Sequence, residues 1–243
     1  MATAGLSTGQ LGELRRYDTP TVCNAIELFE VRARTAGYMG REIVAAFPEL
    51  PPMVGYAATA TRRGAAPPRE GDSVATLPDQ VGRYGELPGP PVMVYQELDV
   101  PSESASFGDV MCNTYQAFGA VGLVTNGAGR DLEQIREMEF PIFSNGAICS
   151  HGYNHTVDIH VPVSIGGMMI YPGDLLHGDA NGVTTIPAEL SGELADACAG
   201  VAAAEAVVID YVKGGKPTPE GLAEARKESQ AQLADLRGRL SRA

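Results

Sequence analysis

The chain has no tryptophan, 6% aromatic residues and four cysteines among 243 positions. Cys23, Cys112, Cys149 and Cys198 stand far apart and form no CxxC pair. That scatter argues against a disulfide framework and predicts reduced thiols in a cytoplasmic protein. Positive charge is also scarce: 18 Lys and Arg stand against 30 Asp and Glu, for a formal net charge of -12. Such a field disfavours nucleic acid and anionic membrane as partners, although a local cationic pocket can still hold a small anion. No apolar run approaches the ~20 residues needed to cross a bilayer. The first residues, MATAGLSTGQLGELRRYD, lack the apolar core of a signal peptide. No GxGxG loop follows a strand at a suitable place, which argues against a nucleotide-dependent methyltransferase.

Apolar content, by contrast, is an ordinary 44%. That is enough for a real core in one domain, or one domain with an extra arm. Residues 8–30 read as one or two helices, with Thr19 as N-cap and Pro20 in the first turn. MVGYAATATR (53–62) reads as a strand, RRGAAPPREGD as a surface loop, and 73–84 as a helix. PGPP then turns the chain into the strand VMVYQEL. Residues 109–118 and 131–139 read as helices around the buried strand VGLVT, and PIFS starts another strand. Short strands VDIHVPVSI, MMIYPGD and GVTTIP follow, separated by GG, PGD and DANG turns. From Pro187 the composition predicts a helix of roughly 25 residues, a break at GGKPTPEG and a final charged helix. The pattern is α/β in the middle, β-rich later and helical at both ends.

The stretch GDVMCNTYQAFGAVGLVTNGAGRD (108–131) carries the most chemistry. Gly108 stands between a strand and a helix. If Asp109 caps that helix, the amides of Val110, Met111 and Cys112 are free to bind a carboxylate or phosphate. A plain capped helix start is the competing interpretation. Arg130 and Asp131 follow a strand, where α/β proteins place ligands. The arginine can take a carboxylate in a two-pronged hydrogen bond, and the aspartate can hold Mg²⁺ or Mn²⁺. An Arg-Asp ion pair at a helix start is the structural alternative.

His151 and His155 have HxxxH spacing, but Gly152 and the β-branched residues after His155 predict loop and strand. The spacing then argues against a zinc site, and favours lining a pocket or a surface or structural hydrogen-bonded role. Asp174 and Asp179 sit in turns that lack the ligand alternation of a calcium loop. Cys112 reads as packing.

GD-x-M, GLVTNGAGRD, PIFS, VPVSIGG and PGDLLHGDANGVTTIP together resemble the RraA-like family over residues 19–190. That family includes divalent-metal-dependent 4-hydroxy-4-methyl-2-oxoglutarate aldolases and regulators of ribonuclease E activity. The resemblance implies an α/β fold with the β/β/α layers of a phosphohistidine-type swivelling domain and helical N- and C-terminal extensions. Residues 1–190 would form this domain and 191–243 a helical, subunit-contacting arm of a homotrimer or homohexamer. It implies a lyase of the aldolase or oxaloacetate decarboxylase kind, cleaving a C–C bond of a small 2-oxo acid through a metal-stabilised pyruvate enolate. Arg130 would bind the substrate carboxylate and Asp131 the metal, Mg²⁺ or Mn²⁺. The backbone of Gly108, Asp109, Val110 and Met111 would cradle the pyruvyl group. Glu205 of a neighbouring subunit would position a water. The regulator branch lacks the aspartate after the arginine, so Asp131 favours the enzyme over a non-catalytic binding protein. A hydratase or isomerase using the same site is a further alternative. Two departures stand out: Asn126 replaces the aspartate many members carry, and HGYNH is not part of the aldolase motif.

Overall fold

The structure is a computed structural model and describes residues 5–72 and 74–240. Two short helices open the chain, α1 (Thr8–Leu14) and α2 (Thr19–Leu28). The central segment runs β1 (Val44–Ala45), β2 (Met53–Arg63), α3 (Leu77–Gly82), β3 (Pro91–Glu97), β4 (Ala105–Phe107), α4 (Asp109–Ala117) and β5 (Leu123–Thr125). It continues through β6 (Ala128–Gly129), α5 (Leu132–Glu137) and β7 (Ile142–Ser144). Five short strands follow: β8 (His155–Ile159), β9 (Val163–Ile165), β10 (Met168–Ile170), β11 (Leu175–Asp179) and β12 (Gly182–Ile186). The chain closes with α6 (Leu194–Lys213) and α7 (Pro219–Leu240).

The main sheet has the order β1-β7-β5-β3-β2-β11-β12, and β8 also pairs with β2. The neighbours β7, β5, β3 and β2 are parallel, while β1, β8, β11 and β12 are antiparallel to their partners. Strand β2 is long enough to serve two partners on one edge. Its first half pairs with β11 and its second half with β8.

Side-chain alternation sorts the two faces of this sheet. Met93 and Tyr95 of β3 face a cluster with Tyr115, Ile135 and Phe140 of the α4 and α5 region. Val92 and Val94, one residue out of phase, face Val163, Ile165, Met168 and Ile170 of the β9–β10 hairpin. Burying each such side chain contributes roughly 1.5–3 kcal/mol. A third cluster joins Leu14, Val22 and Ile26 to Leu194, Cys198 and Val201 against Tyr56, Leu175 and Ile186 of the sheet.

Several elements differ from the sequence reading. Asp18, not Thr19, caps α2 by accepting from the Thr21 amide. The third helix is shorter than 73–84, because Thr76 and Asp79 form a capping box that starts it at Leu77. Residue 73 lies outside the described residues, as do 1–4 and 241–243. LLHGD, left without an assignment between the PGD and DANG turns, is a strand paired on both edges. The tail helix starts at Leu194 after a 3-10 turn at Ala188–Leu190. Ser191-Gly192, poor in helix propensity, falls in between. The GG and DANG turns form as read: Gly166 and Gly167 both have positive φ between β9 and β10, and Gly182 closes β11–β12. Among the described residues no helix is long and apolar enough to cross a membrane.

Candidate functional site

A two-stranded parallel sheet sets up the site. Strands β4 and β6 pair Ala105 with Ala128 and Phe107 with Gly129, and the Arg130 amide donates to the Phe107 carbonyl at 3.2 Å. Each strand runs directly into a helix start, so the first turns of α4 and α5 lie side by side. Gly129 allows this approach, because a Cβ there would collide with the Phe107 ring.

Gly108 is the N-cap of α4 and offers no side chain. Asp131 occupies the matching position before α5 in left-handed backbone geometry, φ 59°. It does not cap its own helix. Its Oδ2 instead accepts the Asp109 amide of the other helix at 3.2 Å and stands 3.5 Å from Arg130 Nε. The Arg-Asp contact expected as an alternative is therefore present, but the aspartate bridges two helices rather than closing one. Both side chains keep about a third of their surface exposed, Arg130 37% and Asp131 32%. A Cβ on Gly108 would stand 2.7 Å from Asp131 Oδ2, so this glycine makes room for the carboxylate.

The first-turn amides are not free in the way the sequence suggested. Asp109 is the first helical residue and its own Oδ1 takes the Val110 amide at 2.7 Å. Cys112 donates to the Gly108 carbonyl. Among the described residues, Gly108 and Met111 are left with amides that have no partner. Cys112 is buried and its thiol is pushed up to about 12 by that burial, so it packs rather than reacts.

These groups line a cavity of about 470 Å³, with Arg130, Asp131, Gly108, Asp109, Val110 and Met111 on its wall. Its size falls in the range of small-molecule sites. HGYNH reaches the same cavity through His151, Asn154 and His155, in loop and strand as read. His155 Nδ1 lies 2.8 Å from the Tyr153 carbonyl and His151 Nδ1 3.2 Å from that of Gly152. A carbonyl only accepts, so Nδ1 carries the proton and Nε2 the lone pair in each neutral ring.

Sequence reasoning put Arg62 at the junction of the strand 53–62 and the loop RRGAAPPREGD and gave it no role. Strand β2 continues through it, pairing with Glu97 of β3 and Thr156 of β8, and leaves it 5% exposed on the cavity wall. The signal available was the unbroken alternation of AATATR before the first glycine.

Asn126 has a structural task. Its Oδ1 accepts the Glu97 amide at 2.7 Å and its Nδ2 donates to the Glu97 carbonyl at 3.0 Å, clamping β3 to the loop after β5. A carboxylate could not make the second bond. Glu205 is on α6 and accepts from Asn24 Nδ2 at 3.1 Å. It does not line the cavity of its own chain.

Among the described residues no group of three or more His, Cys, Asp or Glu side chains forms a ready metal cage. Asp131 nevertheless suits Mg²⁺ or Mn²⁺, which commonly use one or two carboxylates and complete their shell with water and substrate oxygens. The carboxylate is partly exposed, faces the cavity and is only lightly engaged, at 3.2 and 3.5 Å.

The family description RraA-like, Aldolase/RraA, matches residues 19–185. The chain belongs to the RraA-like family. A protein of Halalkalibacterium halodurans named "Putative 4-hydroxy-4-methyl-2-oxoglutarate aldolase" is 36% identical over 118 residues, covering 48% of this chain and 54% of that one. A protein of the same name from Ectopseudomonas mendocina is 28% identical over 116 residues, covering 41% and 70%. The chain thus spans about half the length of the first of these relatives. Among solved structures, an uncharacterized protein from Pseudomonas syringae pv. tomato superposes with a TM-score of 0.73 at 22% identity, over 93% of this chain and 97% of that one. Streptomyces coelicolor RraAS2, described as an unusual member of the RNase ES inhibitor RraA protein family, gives 0.63 at 23% identity over 79% and 91%. At these identities the two structures establish the mixed α/β fold.

Proposed function

We propose that the chain is a divalent-metal-dependent lyase that cleaves a C–C bond of a small 2-oxo acid, of the 4-hydroxy-4-methyl-2-oxoglutarate aldolase or oxaloacetate decarboxylase kind. The observation that carries this reading is the pairing of Arg130 and Asp131 on one cavity wall, partly exposed, beside the start of α4.

Arg130 supplies a fixed positive charge and a planar fork for the substrate carboxylate. The unpartnered amides of Gly108 and Met111 point the positive end of α4 at the same ligand. Both favour the negative charge that grows on the 2-oxo oxygen as the bond breaks, and need no reorganisation to do so. Asp131 would hold Mg²⁺ or Mn²⁺. When bound, the metal supplies Lewis-acid stabilisation of charge on the substrate oxygens. The Asp109 amide keeps the Asp131 carboxylate turned toward α4. Cleavage releases CO2 from oxaloacetate, or a carbonyl product from the aldol whose C4 hydroxyl gives its proton to water, and leaves a pyruvate enolate that takes a proton at its methylene carbon. Glu205 of a neighbouring subunit would position the water that delivers it.

In the same reading the fold is the β/β/α layering of a phosphohistidine-type swivelling domain in a cytoplasmic protein. The segment 191–243 serves as a subunit-contacting arm of a homotrimer or homohexamer. The test is pyruvate release from 4-hydroxy-4-methyl-2-oxoglutarate and from oxaloacetate, with Mg²⁺, Mn²⁺ or chelator and the protein-free metal rate subtracted. Release that requires both protein and metal supports the reading. No release from either compound removes it.

A further inference from the structure

Among the described residues, Arg62 is the cavity-lining arginine that the proposed reaction leaves without a task. It is 95% buried, at 5% exposure, yet among the described residues it has no ion-pair partner. Its cross-strand neighbour Glu97 feels its charge but makes no ion-pair contact with it. The Glu97 carboxylate accepts from Ser106 Oγ at 2.9 Å and from the Asp99 amide at 3.2 Å. Burying a guanidinium without a counter-charge is costly, and such charges are normally paired.

The surroundings of Arg62 hold it in place through contacts that include the Tyr115 hydroxyl, with no carboxylate in ion-pair contact among the described residues. Its Nε donates to Asn154 Oδ1 at 2.9 Å. Its guanidinium lies over the Tyr95 ring, 4.8 Å from the centroid, and Nη1 approaches Met111 Sδ at 3.8 Å. Asn154 is itself fixed, because its Nδ2 donates to the Ala105 carbonyl at 2.6 Å. That bond leaves its oxygen facing the arginine. Tyr95 is locked from behind by hydrogen bonding to Gln80 and Tyr115. The arrangement is a braced cation on the wall of a cavity that already holds an arginine for one carboxylate. Asn154 also gives the HGYNH segment a function at the site.

We propose that Arg62 binds the carboxylate at the far end of a 2-oxo dicarboxylate, and that it makes this cavity prefer dicarboxylic over monocarboxylic 2-oxo acids, with Asn154 as its positioning residue. The inference rests on the reading of Arg130 and Asp131 as the head-group site. Two planar arginines suit the two ends of one dianion, each through a forked hydrogen bond.

The test uses two ligands with the same head and chain length, 2-oxoglutarate and 2-oxopentanoate. Affinities are measured by calorimetry in the presence of Mg²⁺ on the full chain. The wild type is expected to bind 2-oxoglutarate at least ~10-fold tighter, as befits a charge-assisted forked pair. Arg62→Met should abolish that preference while leaving 2-oxopentanoate affinity within about twofold, and Arg62→Lys should keep part of it. Asn154→Ala should reduce the preference too, so the inference stays testable if Arg62→Met does not fold. Equal affinities in the wild type, failure to bind either acid, or an undiminished preference in the variants would overturn the proposal. Neither ligand need be cleaved. A clear preference without lyase activity would leave Arg62 assigned and the reaction wrong. Cleavage without a preference would do the reverse.

Discussion

Two polar clusters in this molecule, each containing an aspartate beside a helix start, behave in opposite ways. At one end, His177 is fully buried between Thr19 Oγ1 at 3.0 Å and the Leu14 carbonyl at 3.2 Å. Beside it, Asp179 accepts the Thr19 amide at 2.9 Å and the Asn181 amide at 2.8 Å. These groups meet their needs inside the chain, and they pin the N-terminal helices to the sheet. At the other end, Arg130 and Asp131 are partly exposed, hold each other at 3.5 Å, and share a cavity with Arg62 and with backbone amides that, among the described residues, lack an ion pair and a hydrogen-bond acceptor respectively. Buried polar groups are normally satisfied, so unmet ones gathered in a cavity mark where a ligand completes the set.

The largest effect that separates the two clusters is expected at Arg130. Arg130→Gln should lower kcat/KM by a factor on the order of 10² to 10³ with the melting temperature nearly unchanged. Gly108→Ala comes next. Its Cβ would displace the Asp131 carboxylate, so activity should fall roughly 10–100-fold, a range typical of disturbed metal-ligand support, while circular dichroism stays native. His177→Ala should do the opposite: lose about 2–4 kcal/mol of stability through a cavity and stranded partners, and keep its activity per folded molecule. A large activity loss at His177, or a large stability loss at Arg130, would erase the distinction.

A smaller effect concerns pH. Burial holds the His177 imidazole below its ordinary value of 6.5. The unfolded chain then binds the proton more readily than the folded one. The His177 contribution is therefore complete above about pH 6.5 and declines as pH falls from there toward the lowered folded value. The melting temperature of wild type minus that of His177→Gln should shrink on acidification across that window. A difference that grows would contradict a neutral buried ring. Smallest is Asn126→Asp, which removes the donor to the Glu97 carbonyl and should cost about 1–3 kcal/mol with catalysis retained.

Much of this was legible in the sequence, and the exceptions have physical causes. GDVMCNTYQAFGAVGLVTNGAGRD announced two helix starts and an Arg-Asp pair, and GG and DANG announced hairpins, because tight turns impose local chemistry. What failed were the features set by long-range pairing. LLHGD became a strand because β2 and β12 claim both its edges, against a composition of glycine, histidine and aspartate. Arg62 was invisible as a buried residue because RR before a Gly and Pro stretch reads as surface, and only the β3 and β8 partners draw it inward. The helix-start amides were misassigned chiefly for a local reason, since Asp109 Oδ1 takes the Val110 amide and the Gly108 carbonyl takes that of Cys112. Asp131, 22 residues away in sequence, takes the Asp109 amide that a local reading left out.

The most direct test is metal-dependent pyruvate release from 4-hydroxy-4-methyl-2-oxoglutarate by the wild type and Asp131→Ala, compared at equal folded concentration after subtraction of the metal-only rate. The account predicts release by the wild type that chelator abolishes and that the variant lacks. An unchanged rate in Asp131→Ala would place the chemistry elsewhere and contradict it.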